Sequence, residues 1–169
     1  MLIREIQQKD DEALFKLIRL CLEEAKLNIP GTAYFDESIK HMSEYYLNHQ
    51  GRKYFVIVDK NDNLLGGCGF AEFGNYTKDL LKLGNDIAVA ELQKLYINKE
   101  IRGQGFGYKL VELIEAESAK SGYKKLYLET HHNLPIAVEL YKKMNYTILE
   151  TPLEGSLHST MDYFFIKDL

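Results

Sequence analysis

The sequence predicts one α/β or α+β domain, and three observations support this class. Patterns with the two-residue spacing of strands and the three- to four-residue spacing of helices alternate along the chain. The length of 169 residues is close to the roughly 150 typical of one domain. Hydrophobic side chains make up 46% of the chain, which is enough to build one core. We therefore expect a single domain over residues 1–169.

The composition argues against several classes of protein. Cys21 and Cys68 lie in apolar stretches far from any CxxC or Cys/His cluster, so neither a zinc site nor a disulfide framework is expected. The N-terminus lacks the apolar run of a secretory signal, and no stretch approaches the roughly 20 apolar residues of a membrane span. We expect a cytoplasmic protein with no membrane partner. The 21 basic and 25 acidic side chains give a net charge of −4. This balance, without a long basic run, disfavours nucleic acid as a partner.

The N-terminal third is predicted to contain one strand and two helices. Leu2 to Ile6 reads as a short strand, and Asp10 or Asp11 caps the helix that follows. Apolar residues of this helix recur at three- and four-residue steps, namely Leu14, Leu17, Ile18, Cys21, Leu22 and Ala25. Pro30-Gly31 marks a break. Residues 36–49 are predicted to form a second helix from the spacing of Ile39, Met42, Tyr45 and Tyr46.

An antiparallel hairpin is expected next. Its strands, Tyr54 to Val58 and Leu64 to Phe73, flank the turn-rich residues 59–63. Glycines weaken the second strand at positions 66, 67 and 69. They mark either a bulge or the close approach of another chain segment.

A glycine-rich turn follows the next predicted strand. Residues 75–86 are polar and indicate a loop, and residues 87–97 form the strand. The turn runs from Asn98 to Gly107. A helix opens inside it at about Gly105, continues to Lys120 and ends at Gly122.

The last third is predicted to hold one helix among three strands. Residues 125–130 alternate leucine with Tyr127 and Glu129, as a half-exposed strand does. Pro135 starts a helix that ends at about Lys143, where Asn145 takes the left-handed position. The final strands are residues 146–150 and 161–167. The second is rich in aromatic residues, which indicates packing in the sheet core or, alternatively, a dimer interface.

The glycine-rich turn between a strand and a helix carries a chemical signal. Unpaired N–H groups at a helix start attract phosphate oxygens, and glycines allow close approach. The turn matches neither the nucleotide P-loop nor Gly-x-Gly-x-x-Gly. Taken alone, it fits a tight turn without a ligand equally well.

The surroundings of this turn resemble a known family. Arg102-Gly-Gln-Gly-Phe-Gly107 matches Arg/Gln-x-x-Gly-x-Gly/Ala, the acyl-CoA pyrophosphate motif of the GNAT N-acyltransferase superfamily. Residues 90–97 are similar to the family's fourth strand, and residues 137–146 to its late helix and sixth strand. The resemblance covers residues 87–149. It implies a mixed, mostly antiparallel sheet of about seven strands, with helices on both faces and a splay between strands 4 and 5.

The resemblance implies acetyl-CoA as cosubstrate and no metal. The pantetheine arm would bond to the backbone of Leu95, Tyr96 and Ile97 in the splay. The pyrophosphate would be bound by the backbone N–H groups of Arg102, Gly103, Gln104, Gly105, Phe106, Gly107 and Tyr108. Asn133 is the candidate for a pantetheine contact, although many relatives place this asparagine seven residues before the catalytic tyrosine, where this chain has Leu134. Lys99 or Lys109 would meet the 3′-phosphate or remain solvated.

Three groups are expected to carry the chemistry. Glu91 resembles the glutamate that many members use as general base, and the alternative is a polar strand residue that only orients the acceptor. Regular alternation, in the absence of a bulge, would put Glu91, Gln93 and Leu95 on one face of the strand. Tyr141 aligns with the tyrosine that protonates the departing thiolate, and packing is its alternative. The resemblance assigns the oxyanion to the backbone N–H of Leu95.

Several residues stay open at this point. His131 and His132 are expected to be exposed loop histidines without a catalytic role. The cysteines are expected to pack in the core and not to carry an acyl group. Acceptor contacts are expected in the segments outside the CoA motif, where the candidates are Tyr34, Glu72, Tyr76 and His158.

These observations predict an acetyl-CoA-dependent N-acetyltransferase. It would transfer the acetyl group directly, in a ternary complex, to a primary amine of a small molecule or protein. The alternative is a non-catalytic acyl-CoA-binding sensor or interaction domain with the same fold, and longer acyl donors also remain open. The protein would be a monomer or a homodimer.

Overall fold

All described strands belong to one seven-stranded sheet. The computed structural model describes residues 1–74, 88–156 and 160–169. The strands lie in the order β1-β2-β3-β4-β5-β7-β6, and neighbours are antiparallel except for the parallel pair β4 and β5. They are β1 (Leu2–Glu5), β2 (Lys53–Val58), β3 (Leu64–Glu72), β4 (Val89–Ile97), β5 (Lys125–Thr130), β6 (Thr147–Leu149) and β7 (Tyr163–Asp168). The expected mixed, mostly antiparallel sheet of seven strands is confirmed.

Helices cover both faces of this sheet. They are α1 (Asp11–Glu24), α2 (Met42–Leu47), α3 (Phe106–Lys120) and α4 (Pro135–Lys143), with short 3-10 turns at Gln8–Asp10, Ala33–Phe35, Glu37–Lys40 and Lys99–Ile101. Successive side chains of β2 alternate between the two cores. Phe55 and Ile57 pack with α3 and α4, whereas Tyr54, Val56 and Val58 pack with α1 and α2.

Asp10 occupies the N-cap position of α1, as expected, but its side chain makes no capping hydrogen bond to the helix. Asp10 accepts a hydrogen bond from the Gln7 N–H at 2.8 Å and pairs with Arg4 at 2.7 Å. Asp11 accepts instead from the N–H and hydroxyl of Ser43 at 2.8 and 2.6 Å. Both carboxylates therefore tie α1 to neighbouring segments.

The helix expected over residues 36–49 is broken in two. A 3-10 turn, Glu37–Lys40, precedes the six-residue α2, and His41 between them has φ −134° and ψ 50°, outside the helical region. Ile39, Met42 and Tyr46 nevertheless point into the core, with 0–2% exposure. The apolar spacing thus identified the buried face but not the break.

The expectation of a half-exposed β5 was wrong. Leu126, Tyr127 and Leu128 are all fully buried, because the second face of β5 is covered as well. Phe73 packs on the Tyr127 ring with centroids 4.7 Å apart, and Phe164 and Ile166 of β7 join this cluster. The aromatic residues of β7 are thus used in core packing.

The glycines of β3 face a bulge in β4. Gly69 pairs with Gln93 and Gly67 with Tyr96, so Lys94 and Leu95 together lie opposite one residue of β3. Lys94 adopts a left-handed conformation with φ 54°. Both expected roles of the glycines are confirmed, because the Tyr54 ring also passes within 2.5 Å of where a Cβ on Gly67 would lie.

The bulge overturns the expected facing of Leu95. Leu95 packs with Leu92 on the α3 and α4 side, whereas Tyr96 packs against the opposite core. The extra residue shifts the alternation by one position, so Leu95 leaves the face that it would otherwise share with Gln93.

Strands β4 and β5 separate after a short parallel pairing. Their register runs only from Val89 opposite Lys125 to Glu91 opposite Tyr127. Residues 92–97 of β4 continue beside β3 without a partner in β5. The expected splay between strands 4 and 5 is confirmed.

The described helices are all too short or too polar to cross a lipid bilayer. The loop expected at residues 75–86 and the first residue of the strand expected at 87–97 lie outside the described residues.

Asn145 offers a test of the expected left-handed helix end. Its φ is 63°, so Asn145→Val should cost about 1–2 kcal/mol of unfolding free energy, because a β-branched side chain is strained there. Urea denaturation would measure the change. Asn48 is the matched control, since it is exposed at the end of α2 with φ −86°. Equal losses for Asn145→Val and Asn48→Val would contradict the role of the left-handed conformation.

Candidate active site

The glycine-rich turn directs the start of α3 towards open space. Gly103 and Gly105 have φ 77° and 82°, a conformation that other residues adopt with strain. Gly105 is the N-cap of α3, and no side chain caps the helix there. A Cβ built on either glycine would meet nothing within 4 Å. The uncapped N–H groups are therefore available to an anion that approaches from this side.

Arg102 fixes this turn against α1. Its guanidinium donates to the carbonyl of Ile97 at 2.8 Å and to Glu24 Oε2 at 2.6 Å. Its backbone N–H donates to the Lys99 carbonyl at 3.3 Å. Of the N–H groups expected to bind a pyrophosphate, that of Arg102 is thus already engaged inside the protein.

A small cavity of about 110 Å³ lies between β4 and β5 where they separate. It brings together four of the expected residues, Glu91, Leu95, Tyr96 and Tyr141. The remaining walls are mainly apolar and include Leu22, Leu27, Leu92, Leu134, Ala137 and Met161. Charged and polar groups inside such a cavity interact more strongly than they would in water.

Tyr141 reaches the cavity from α4 with only 4% of its surface exposed. Burial strongly raises the pKa of its hydroxyl, so the hydroxyl remains protonated near neutral pH. Its ring packs against Tyr146 and Phe165, with centroids 5.7 and 5.8 Å away. The side chain therefore holds a neutral hydroxyl at the cavity wall in a packed position.

Glu91 is oriented through a chain of two hydrogen bonds. The hydroxyl of buried Tyr46 donates to Gln93 Oε1 at 2.8 Å. That bond leaves the Gln93 amide group to donate to Glu91 Oε2 at 2.6 Å. The chain holds the carboxylate in one orientation.

A second carboxylate, Glu129 on β5, was missed by the sequence analysis. Its Oε1 accepts from the Tyr127 hydroxyl at 2.8 Å. Its Oε2 is buried at the same cavity and has no hydrogen-bond partner among the described residues. The sequence feature that could have identified Glu129 is its position at the carboxyl end of β5, the strand that lies beside the strand of Glu91.

A larger cavity of about 800 Å³ adjoins the first. Both are lined by Thr32, Glu91, Gln93 and Lys94, so Glu91 lies where they meet. The outer part is lined by aromatic and acidic side chains, including Phe35, Asp36, Glu37, Tyr45, Glu72 and Phe73.

Of the two expected acceptor residues that the structure describes, Tyr34 and Glu72, Glu72 lines this larger cavity. Arg52 donates to Glu72 Oε2 at 2.8 Å, and this bond lowers the pKa of the Glu72 carboxyl. Tyr34 donates to Glu23 at 2.6 Å and contacts Arg19, and it lines neither cavity. Tyr76 and His158 lie outside the described residues.

The expectation of two exposed histidines was half wrong. His131 is 8% exposed, and its Nδ1 accepts the N–H of Asn133. His132 is exposed and bonded to Asp162. Among the described ranges, the one group of side chains that could hold a metal ion is formed by His131, His132 and Asp162. Their ligand atoms lie within 4.8 Å of one another.

Asn133 donates from its side chain to the carbonyl of Ala25 at 3.0 Å and does not line the small cavity.

Both cysteines are buried free thiols, as expected. Burial raises the pKa of Cys68 and is also the main cause of the raised pKa of Cys21. Because the thiolate is the reactive form, neither is suited to carry an acyl group.

Comparison with known proteins places this arrangement in context. The model of the acetyltransferase (GNAT) family matches residues 12–146. An uncharacterized N-acetyltransferase of Escherichia coli (strain K12), YjgM, is 26% identical over 168 residues, which cover 99% of this chain and 94% of that protein.

Solved structures show the same fold at low sequence identity. An acetyltransferase from Streptococcus agalactiae 2603 has a TM-score of 0.79 at 19% identity, covering 99% of this chain and 98% of that one. The PaiA N-acetyltransferase from Thermoplasma acidophilum, solved in complex with coenzyme A, has a TM-score of 0.70 at 18% identity with the same coverage.

Proposed function

This chain belongs to the GNAT acetyltransferase family, and from that premise we propose that it transfers an acetyl group from acetyl-CoA to a primary amine. The observation that carries this proposal is the meeting of two cavities at Glu91. The small cavity is lined by Tyr141 and by the part of β4 that has no partner in β5, and the large one opens beyond Glu91. Acetyl-CoA bound in the small cavity and an amine bound in the large cavity would react where the two cavities meet.

The donor side fits coenzyme A through its backbone groups. Residues 92–97 of β4 have no partner in β5, and a pantetheine arm carries amides that can pair with such an edge. The N–H groups from Gly103 to Tyr108 would hold the pyrophosphate at the start of α3. Coenzyme A bound to the PaiA enzyme of similar fold supports an acyl-CoA donor.

The reaction needs three steps that the residues can serve. An alkylammonium with a pKa near 10 loses its proton at pH 7 at a cost of about 4 kcal/mol, and Glu91 would accept that proton directly or through water. The amine nitrogen then bonds to the thioester carbon, and the Leu95 N–H would stabilise the oxyanion. As the carbon–sulfur bond breaks, Tyr141 would protonate the departing thiolate.

Transfer would be direct, without an acyl-enzyme. The buried thiols Cys21 and Cys68 have raised pKa values, and neither lines the small cavity. Acetyl-CoA and the acceptor would therefore have to be bound at the same time.

The first experiment measures thiol release from acetyl-CoA against polyamines, amino acids, aminoglycosides and lysine peptides, with binding of acetyl-CoA measured in parallel. We expect release that depends on one class of amine, with the acetylated amine as product. A longer acyl-CoA serves as the comparison for donor choice. Tight binding without turnover across the panel would favour the acyl-CoA sensor instead.

Gly105→Ala should weaken acetyl-CoA binding by about tenfold or more, because alanine resists φ 82° and the turn would rearrange. Calorimetry measures the affinity. Gly122→Ala is the matched control, since Gly122 also has positive φ with open space around its Cβ position but ends α3. An equal loss in both variants would assign the effect to general destabilisation.

Tyr141→Phe should lower kcat by about 10²- to 10⁴-fold, because it removes the proton donor for the thiolate. Acetyl-CoA affinity should change little. Steady-state kinetics and binding together separate the two quantities. The control is Tyr146→Phe, a neighbouring buried tyrosine whose ring lies 5.7 Å from that of Tyr141. Wild-type kinetics in Tyr141→Phe would assign the residue to packing alone.

Glu91→Gln should lower kcat/KM at pH 7 by about 10²-fold or more, and the deficit should shrink at alkaline pH. The reason is that the free amine needs no base once the pH approaches its pKa of about 10. The pH profile from about pH 6 to 10 tests this prediction. Glu129→Gln is the comparison, and a profile shifted by that variant alone would make Glu129 the base.

A further inference from the structure

The strained residue of the bulge adjoins the proposed oxyanion donor. Lys94 has φ 54°, a conformation that is costly for any residue with a Cβ. Such strain persists only where surrounding contacts maintain it. The Lys94 carbonyl and the Leu95 N–H belong to the same peptide unit. A contact that fixes the orientation of the Lys94 carbonyl therefore also fixes the direction of the Leu95 N–H.

Tyr54 holds that carbonyl from two strands away. Its hydroxyl donates to the Lys94 carbonyl oxygen at 2.8 Å. The side chain starts on β2, crosses β3 and is 1% exposed. It stacks obliquely on Tyr46, with ring centroids 5.1 Å apart.

The glycines of β3 make this crossing possible. A Cβ on Gly67 would lie 2.5 Å from the Tyr54 ring, and one on Gly69 would lie 2.4 Å from it. Both distances are far below a normal contact between carbon atoms. The two glycines thus form a gap that the ring fills.

The direction of the hydrogen bond is fixed. A carbonyl oxygen can only accept, so the tyrosine must donate. Burial raises the pKa of the Tyr54 hydroxyl well above its usual value, which keeps the donor proton in place across the working pH range. The peptide is trans, so its N–H points away from its carbonyl. The Leu95 N–H is therefore directed away from Tyr54.

We propose that Tyr54 is a positioning residue for acyl transfer, which holds the Lys94–Leu95 peptide so that the Leu95 N–H faces the reacting carbonyl. The role rests on the proposed function of the site. A hydrogen bond donated to a peptide carbonyl also polarises that peptide and strengthens its N–H as a donor. Tyr54 thus acts on the oxyanion through the peptide, without touching the substrate.

The test compares Tyr54→Phe with Tyr123→Phe in the full chain. Tyr123 is also buried and also donates its hydroxyl to a backbone carbonyl, that of Gly51 at 3.0 Å, but it lines neither cavity. Both variants should lose similar thermal stability. Only Tyr54→Phe should lower kcat, by about 10- to 100-fold, with acetyl-CoA affinity within about threefold of wild type.

Equal kcat values in the two variants would overturn the proposal. So would a Tyr54→Phe variant whose acetyl-CoA affinity falls as much as its kcat, because that pattern indicates a general loosening of the cavity. The shape of the pH profile should stay unchanged, since the base is intact.

A second measurement needs neither turnover nor the phenylalanine variant. Site-specific 3-fluorotyrosine at position 54 is a stronger donor of nearly the same size, and it should move the amide proton resonance of Leu95 in the free protein. An unmoved resonance would contradict the coupling. A wild-type protein without acceptor-dependent thiol release would instead refute the proposed function and leave this readout intact.

Discussion

The site depends on one constraint, which is that β4 leaves β5 after Glu91 while it stays paired with β3. A strand edge inside a protein must find partners for its N–H and C=O groups. Strand β5 pairs with β7 along its other edge, and residues 92–97 of β4 have no partner in β5. An extended chain with amide groups, such as pantetheine, would complete that edge as an added strand does.

Burial sets the protonation of the groups that surround this opening. Tyr141 and Tyr96 line the small cavity, and burial raises the pKa of both hydroxyls. They therefore remain neutral donors. Glu91 lies where the small cavity meets the larger one and accepts a hydrogen bond from Gln93. The proposed acid, Tyr141, and the proposed base, Glu91, thus both line the small cavity, and Glu91 also lines the larger one.

Local sequence signals predicted much of the fold. The features that they did not predict depend on contacts between residues far apart in the sequence. The turn before α3 and the left-handed Asn145 were predictable because each depends on the conformational preference of its own residues. The full burial of Tyr127 was not, since Phe73 covers it from another strand. The facing of Leu95 depends on an extra residue in β4, and the glycines of β3 indicated a bulge without placing it in that strand. Glu129 was missed because its relation to the cavity depends on the parallel pairing of β4 and β5.

The proposed donor side of the site was also easier to predict from the sequence than the proposed acceptor side. Donor contacts are proposed through backbone groups, and the glycines at positions 103 and 105 that shape this backbone are visible in the sequence. The proposed acceptor cavity is lined mainly by residues from the connector before α2, from α2, from β3 and from β4. Several of its charges are already paired, as Glu72 is with Arg52 and Asp36 with Lys94. An amine that paired with either of these carboxylates would compete with the carboxylate's present partner, so its affinity would reflect the difference between the two ion-pair arrangements.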